Sequence, residues 1–205
     1  MAVTAESVSS PPPEFPARAL ARPSGPLRLF RGGVLAEPAI AYETWGRLDH
    51  QRSNALVLFT GLSPSAHAAS SPADPSPGWW ESMIGPGRPI DTDRYFVICV
   101  NSIGSPFGSS SPASIDPRTQ RPYGLGFPEV AVEDLAAGGR VVLRALGITR
   151  PGAGLVTGVP SGAAISMPLC GLRGWSLKNR REPYEFERWP LTGRAMRSSG
   201  TWSVL

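Results

Sequence analysis

Ser161 stands in Val159-Pro160-Ser161-Gly162-Ala163, just after the short apolar stretch Gly154-Leu155-Val156-Thr157. A serine oxygen serves as a nucleophile when a tight strand-to-helix turn presents it and small neighbours let the backbone bend, so that amide N–H groups can face an oxyanion. The reading without chemistry is an ordinary Ser/Gly turn. A second candidate is Thr60-Gly61-Leu62-Ser63-Pro64-Ser65-Ala66-His67, directly after the apolar run Asn54 to Phe59. A Gly/Ser/Pro loop at a strand end can turn backbone N–H groups toward developing negative charge, or it can simply be a turn. Both histidines, His50 and His67, precede Ser161, and none follows it. Without a general base, a serine hydroxyl is a weak nucleophile at neutral pH. Asp91-Thr92-Asp93 reads as a turn cap before a strand, and Asp116 is likewise upstream of the serine. The segment Gly104 to Pro112 has the glycines and serines of a phosphate cradle but lacks the lysine and following helix of a P-loop. It reads as a loop on the active-site side.

These residues need elements to position them. Leu27 to Leu48 reads as a β-hairpin, with apolar runs on either side of Gly32-Gly33 and β-favouring Ile40, Tyr42, Thr44 and Trp45 after it. Asn54 to Phe59 and Tyr95 to Val100 are continuous apolar runs, as expected of strands covered on both faces. From Val130 to Leu146, the residues Val132, Leu135, Val142, Leu143 and Leu146 recur at helical spacing, with Glu129, Glu133 and Asp134 at the N-terminal end where the dipole favours them. Gly138-Gly139 weakens that helix by roughly 1 kcal/mol per glycine relative to alanine. Gly154 to Thr157 is a further short strand. Hairpin, strand, strand, helix, strand and sharp turn together predict an α/β class, with a mostly parallel sheet and flanking helices.

The chain has 205 residues, 41% of them apolar, enough for one core. No run approaches the ~20 apolar residues of a membrane-spanning helix. Residues 1–26 are rich in Pro, Ser and Ala and read as a disordered leader without a signal-peptide core, which suggests a cytoplasmic protein. Cys99 and Cys170 suggest neither a disulfide framework nor a metal site, and they read as buried thiols. The net charge of +4 comes from residues 171–205, where the arginines from Arg173 to Arg197 and Lys178 outnumber Glu182, Glu185 and Glu187. No fold or aromatic platform presents that charge to a nucleic acid, so no nucleic-acid or membrane partner is expected. From about Gly171 the period is lost, and Pro183 and Pro190 interrupt what begins.

Three stretches are unusually specific: AYETWGRL at Ala41 to Leu48, GWWESMIGPGRPIDTDRYFVICVNSIGS at Gly78 to Ser105, and PYGLGFPEVAVEDL at Pro122 to Leu135. With them the chain resembles the homoserine/serine O-acyltransferase family of α/β-hydrolase-fold enzymes over about Leu27 to Leu172. The Gly61-Leu62-Ser63-Pro64 stretch is more similar to the serine O-succinyltransferase branch than to the homoserine acetyltransferases. The resemblance implies that an acyl group passes from an acyl-CoA, succinyl-CoA or acetyl-CoA, to the hydroxyl of L-serine or L-homoserine by a ping-pong route. This chemistry belongs to cysteine or methionine biosynthesis. Acyl-CoA is then a co-substrate, with no bound cofactor and no metal, and a homodimer fits the family. Mapped onto this chain, Ser161 is the nucleophile, and the Leu62 and Gly162 N–H groups form the oxyanion hole. Gly61, Leu62, Ser63 and Pro64 set substrate choice.

Family members carry glycine at the positions of Val159 and Ala163, so this sequence departs twice. The family's acid, base, helical lid and substrate-binding arginine lie downstream of the nucleophile, and nothing in residues 171–205 matches them. The expectation is therefore a partial acyltransferase domain over 27–172 with an irregular basic tail over 173–205, inactive as it stands. A reading-frame shift, a genuine short form or a split enzyme would each account for the ending. A noncatalytic binding module and a plain esterase are the other readings.

Overall fold

The computed structural model describes residues 15–61, 64–149, 151 and 153–156. In chain order they form β1 (Ala19–Ala21), β2 (Leu27–Arg28), β3 (Val34–Leu35), β4 (Ile40–Trp45), β5 (Ala55–Phe59), β6 (Ile84–Gly85), β7 (Ile90–Asp91), β8 (Phe96–Val100), β9 (Ile115–Asp116), β10 (Arg121–Pro122), a 3-10 turn at Gly124–Gly126, α1 (Val132–Ala145) and β11 (Ala153–Val156). The two continuous apolar runs become β5 and β8, side by side near the middle of a sheet ordered β1-β4-β8-β5-β11. The pairs β8·β5 and β5·β11 are parallel, whereas β1·β4 and β4·β8 are antiparallel. The sheet of the described residues is thus mixed, its parallel part lying at the β11 side.

Alternation along the strands divides the core in two, because successive side chains point to opposite faces. Ile40, Val57, Phe59, Ile98 and Val100 meet Val142 and Leu143 of α1 on one face. Trp45, Leu56, Leu58, Val97 and Cys99 point to the other, where Ala68, Ala69, Ile84 and Ile90 of the β5–β8 connection cover them. Cys99 is buried, as its place in an apolar run implied; Cys170 lies outside the described residues.

The helix begins where expected. Asp134 accepts hydrogen bonds from the Ala131 N–H at 2.8 Å and the Phe30 N–H at 2.8 Å. One carboxylate therefore satisfies an orphan donor at the helix start and ties α1 to the β2–β3 turn. The hairpin expected over Leu27 to Leu48 divides. β2 and β3 pair with each other, while β4 joins the main sheet.

The leader expectation needs correction. Ala19–Ala21 is a strand, registered antiparallel on β4 with Ala19 opposite Tyr42 and Ala21 opposite Ile40. The outer edge of β4 offers backbone donors and acceptors that need partners, and Pro16 and Pro23 flank the paired residues without interrupting them. Arg18 fixes the approach, with its guanidinium 5.1 Å from the Phe15 ring centroid and a hydrogen bond to the Phe107 carbonyl at 3.4 Å.

Candidate functional site

The candidate site is at the carboxyl ends of β5 and β8, where open α/β sheets place their ligands. β5 is buried along its whole length and delivers the chain to Thr60 and Gly61. The last residue of β8 and those just after it hold this exit. The Thr60 N–H donates to the Val100 carbonyl at 3.3 Å, and the Ser102 hydroxyl donates to the Thr60 carbonyl at 3.0 Å. Asn101 Nδ2 donates to the Pro64 carbonyl at 3.3 Å, so Gly61 and Pro64 flank a loop whose two ends are both tied to the end of β8. Leu62, Ser63, Ser161 and Gly162 lie outside the described residues. β11 runs parallel to β5 with Val156 opposite Phe59, so both strands end level with one another.

The loop Gly104 to Pro112 serves the sheet. Ser110 Oγ accepts the Ala39 N–H at 2.9 Å. Ser109 Oγ accepts the Ala41 N–H at 3.0 Å and donates to the Asn101 carbonyl at 2.8 Å. These hydroxyls continue the ladder between β4 and β8 beyond the last paired residues, and they are spent on backbone rather than on a phosphate. Asp91 is a turn cap, as its sequence context implied, accepting the Gly87 and Asp93 N–H groups at 3.0 Å each. Asp116 pairs with Arg118 at 2.9 Å.

A buried polar cluster, which the sequence reading missed, lies under the β5–β8 connection. Glu43 of β4 points into the loop-covered face, and His67 Nδ1 lies 2.9 Å from its Oε2. Asp74 Oδ2 lies 3.7 Å from the same nitrogen, and His67 Nε2 lies 2.9 Å from the Ser76 carbonyl. Burial pushes the Glu43 carboxyl up, outweighing the opposing influence of His67. Burial alone would lower the His67 pKa, but the Glu43, Ser76 and Asp74 oxygens more than offset it and the net shift is upward. The local signal was a glutamate between Ala41 and Trp45 at the inward-facing positions of β4. Among the described residues no group of His, Cys, Asp and Glu has the arrangement of a metal site, and no helix is long and apolar enough to cross a membrane.

The tryptophan pair packs as a unit. Trp79 and Trp80 stack with centroids 5.6 Å apart, and Trp79 Nε1 donates to the Ser65 carbonyl at 2.9 Å. Trp80 lies against the loop-side core.

No protein-family profile matches the chain. Over 124 residues, 60% of the chain, it is 67% identical to the serine O-succinyltransferase of Litchfieldella anticariensis, and the match spans 34% of that protein. Over 120 residues, 58% of the chain, it is 60% identical to the L-serine/homoserine O-acetyltransferase of Streptomyces lavendulae, spanning 32% of it. The chain is homologous to the serine and homoserine O-acyltransferases. This acyltransferase homologue spans about a third of the length of those curated relatives. Its fold is similar to the homoserine O-acetyltransferase of Bacillus anthracis, with a TM-score of 0.64 at 29% identity over 72% of the chain and 41% of that structure. It is also similar to esterase E22, with a TM-score of 0.62 at 33% identity over 68% of the chain and 40% of that structure. The sheet of the acyltransferase homologue is accordingly part of an α/β-hydrolase fold, as the order of its elements predicted.

Proposed function

We propose that the protein transfers an acyl group from succinyl-CoA or acetyl-CoA to the hydroxyl of L-serine or L-homoserine, a step of cysteine or methionine biosynthesis, in the cytoplasm and as a homodimer. The observation that carries this reading is the 67% identity to a protein named serine O-succinyltransferase. The fold supports it, since the Thr60–Pro64 loop and the exit of β11 lie at adjacent carboxyl ends of parallel strands, and Ser161 follows shortly after that exit.

In this reading Ser161 Oγ attacks the thioester carbonyl, the C–S bond breaks, and CoA leaves as the thiol carrying the serine proton. The amino-acid hydroxyl then attacks the acyl carbonyl, the new ester leaves with the acceptor, and the proton returns to Ser161. The Leu62 and Gly162 N–H groups stabilise the oxyanion in both steps. Gly61, Leu62, Ser63 and Pro64 border the acceptor and select it. His67 is not the base, since its ring is held by Glu43 and Ser76.

Intact-mass and peptide mapping after incubation with succinyl-CoA or acetyl-CoA test the proposal. An acyl adduct on Ser161, absent in Ser161→Ala and discharged by L-serine or L-homoserine, is the expected result. An unmodified Ser161 under conditions that label the Litchfieldella relative would overturn it. The likeness to esterase E22 favours hydrolysis as the second reading. That reading wins if water discharges the adduct as fast with the amino acids as without them.

A further inference from the structure

We propose that Glu43, His67 and Asp74 form a proton-dependent latch that fastens the loop 64–78 to the sheet. The geometry fixes the protonation of the ring. Nδ1 faces the Glu43 carboxylate at 2.9 Å and Asp74 at 3.7 Å. Nε2 faces the Ser76 carbonyl at 2.9 Å, an atom that can only accept. The one hydroxyl nearby, Ser76 Oγ, lies 3.2 Å from Nε2 but 2.6 Å from Asp74 Oδ1, and an ionised Asp74 claims its proton. With Glu43 ionised, each ring nitrogen needs a hydrogen to give. A neutral imidazole would set a bare lone pair against oxygen in a buried site, which costs more than an exposed loss.

Glu43 comes from β4, Asp74 from the loop itself, and Cys99 stands opposite Glu43 on β8. Arg18 also acts on Glu43, from beside β1. Cys99 stays neutral because burial holds its thiol far up. The cluster thus sets one imidazolium against two carboxylates. Its role is mechanical, since His67 is the titratable side chain that ties the loop to β4. The loop is also held by Trp45 Nε1, which donates to the Ala69 and Ser70 carbonyls at 3.2 and 3.1 Å, by Asn101 and Trp79, which donate to the Pro64 and Ser65 carbonyls, and by Glu81.

The direction of the pH effect follows. The His67 pKa is raised on folding, so its stabilisation is complete below the ordinary histidine value of about 6.5 and is lost as pH rises through the raised value. In acid the latch loses its carboxylates in order, Glu43 first because burial holds its carboxyl up, and then Asp74, whose pKa is lowered mainly by the Ser76 hydroxyl. The latch is closed between the titrations of Glu43 and His67.

The second histidine, His50, is exposed in a turn and lies outside the cluster. NMR of the two imidazoles in the full chain, with hydrogen exchange of the loop amides across pH 5 to 9, provides the test. His67 is expected to keep both ring protons above the ordinary histidine value of about 6.5. Exchange of the amides from Ala66 to Gly78, corrected for its intrinsic pH dependence, should rise by up to about tenfold per pH unit between about pH 6.5 and the His67 titration and level off above it, while β5 stays protected. Glu43→Gln should lower the His67 titration, and His67→Gln should remove the rise in loop exchange above about pH 6.5. A His67 that loses a ring proton at or below the ordinary histidine value of about 6.5, or loop exchange that shows no rise below the His67 titration, would overturn the latch. The parent chain alone yields both measurements should either variant fail to fold.

Discussion

At the scale of single residues, two glycines with the same side chain have opposite reasons to be there. A Cβ on Gly78 would lie 2.1 Å from the Ala68 carbonyl carbon and 2.2 Å from the Ala69 nitrogen, all backbone and unable to step aside. Gly78 opens the GWWES stretch because only hydrogen fits where the two sides of the loop touch. A Cβ on Gly138, in the middle of α1, would meet Ile103 Cδ1 and Ile40 Cδ1 at 3.5 Å, an ordinary van der Waals contact. Gly78→Ala should therefore cost about 1–3 kcal/mol or more through overpacking. Gly138→Ala should gain roughly 0.5–1 kcal/mol from the smaller entropy of the unfolded chain and better helix propensity. Urea midpoints of the two variants against the parent decide the matter. A neutral Gly78→Ala would mean that the close backbone approach is absent, and a destabilised Gly138→Ala would mean that helix and sheet sit closer than 3.5 Å contacts imply.

At the scale of elements, the loop that covers one face of the sheet is held by a carboxylate as well as by the histidine. Glu81 accepts the Ser70 N–H at 2.7 Å, the Gly78 N–H at 3.1 Å and the Ser70 hydroxyl at 2.8 Å, bridging the two arms of the loop. The Ser70 and Gly78 N–H groups are the main reason its pKa falls to about 2. A depressed carboxyl contributes stability that is present above its ordinary value of 4.5 and is lost as pH falls toward 2. Urea midpoints of the parent should decline between pH 5 and pH 2.5. Those of Glu81→Gln should start lower and decline less steeply, because Asp74 and Asp91, also depressed, retain their share. Parallel curves for the two proteins would show that Glu81 contributes nothing to acid sensitivity.

What could be read from the sequence follows the same division. β5, β8 and α1 were legible because each buries enough surface to impose a period or an unbroken apolar run. β1 was not, since Ala19–Ala21 has no period of its own and exists because β4 offers an unpaired edge. The pairs β2–β3, β6–β7 and β9–β10 match two residues per strand, too few for alternation to register. The place of Thr60 to Pro64 at a strand end was legible from the run before it. The Glu43–His67 contact was not, because its partners are 24 residues apart and meet only when the loop folds back over β4.

At the scale of the whole molecule, one sheet divides the described core into two compartments that share strands but few side chains. Leu143 belongs to the compartment under α1, and Ile84 to the compartment under the loop. Both are nearly inaccessible, at 4% and 1% exposure, so shortening either removes buried surface without relief from solvent. Leu143→Ala should cost about 2–5 kcal/mol and Ile84→Val about 0.5–1.5 kcal/mol. Because the two side chains lie on opposite faces of the sheet, their effects should add to within about 0.5 kcal/mol in the double variant. They should nevertheless act on a single transition. β5 and β8 contribute alternate residues to both compartments, Val57 and Ile98 to one and Leu58 and Cys99 to the other, so neither compartment can lose its strands while the other keeps them. Helical circular dichroism and exchange of the loop amides, followed through the same urea series, should give coincident midpoints for the parent and for each variant. If Ile84→Val shifts the loop midpoint while the helix midpoint stays with the parent, the loop-covered face unfolds on its own, and the shared strands do not couple the two halves of the core.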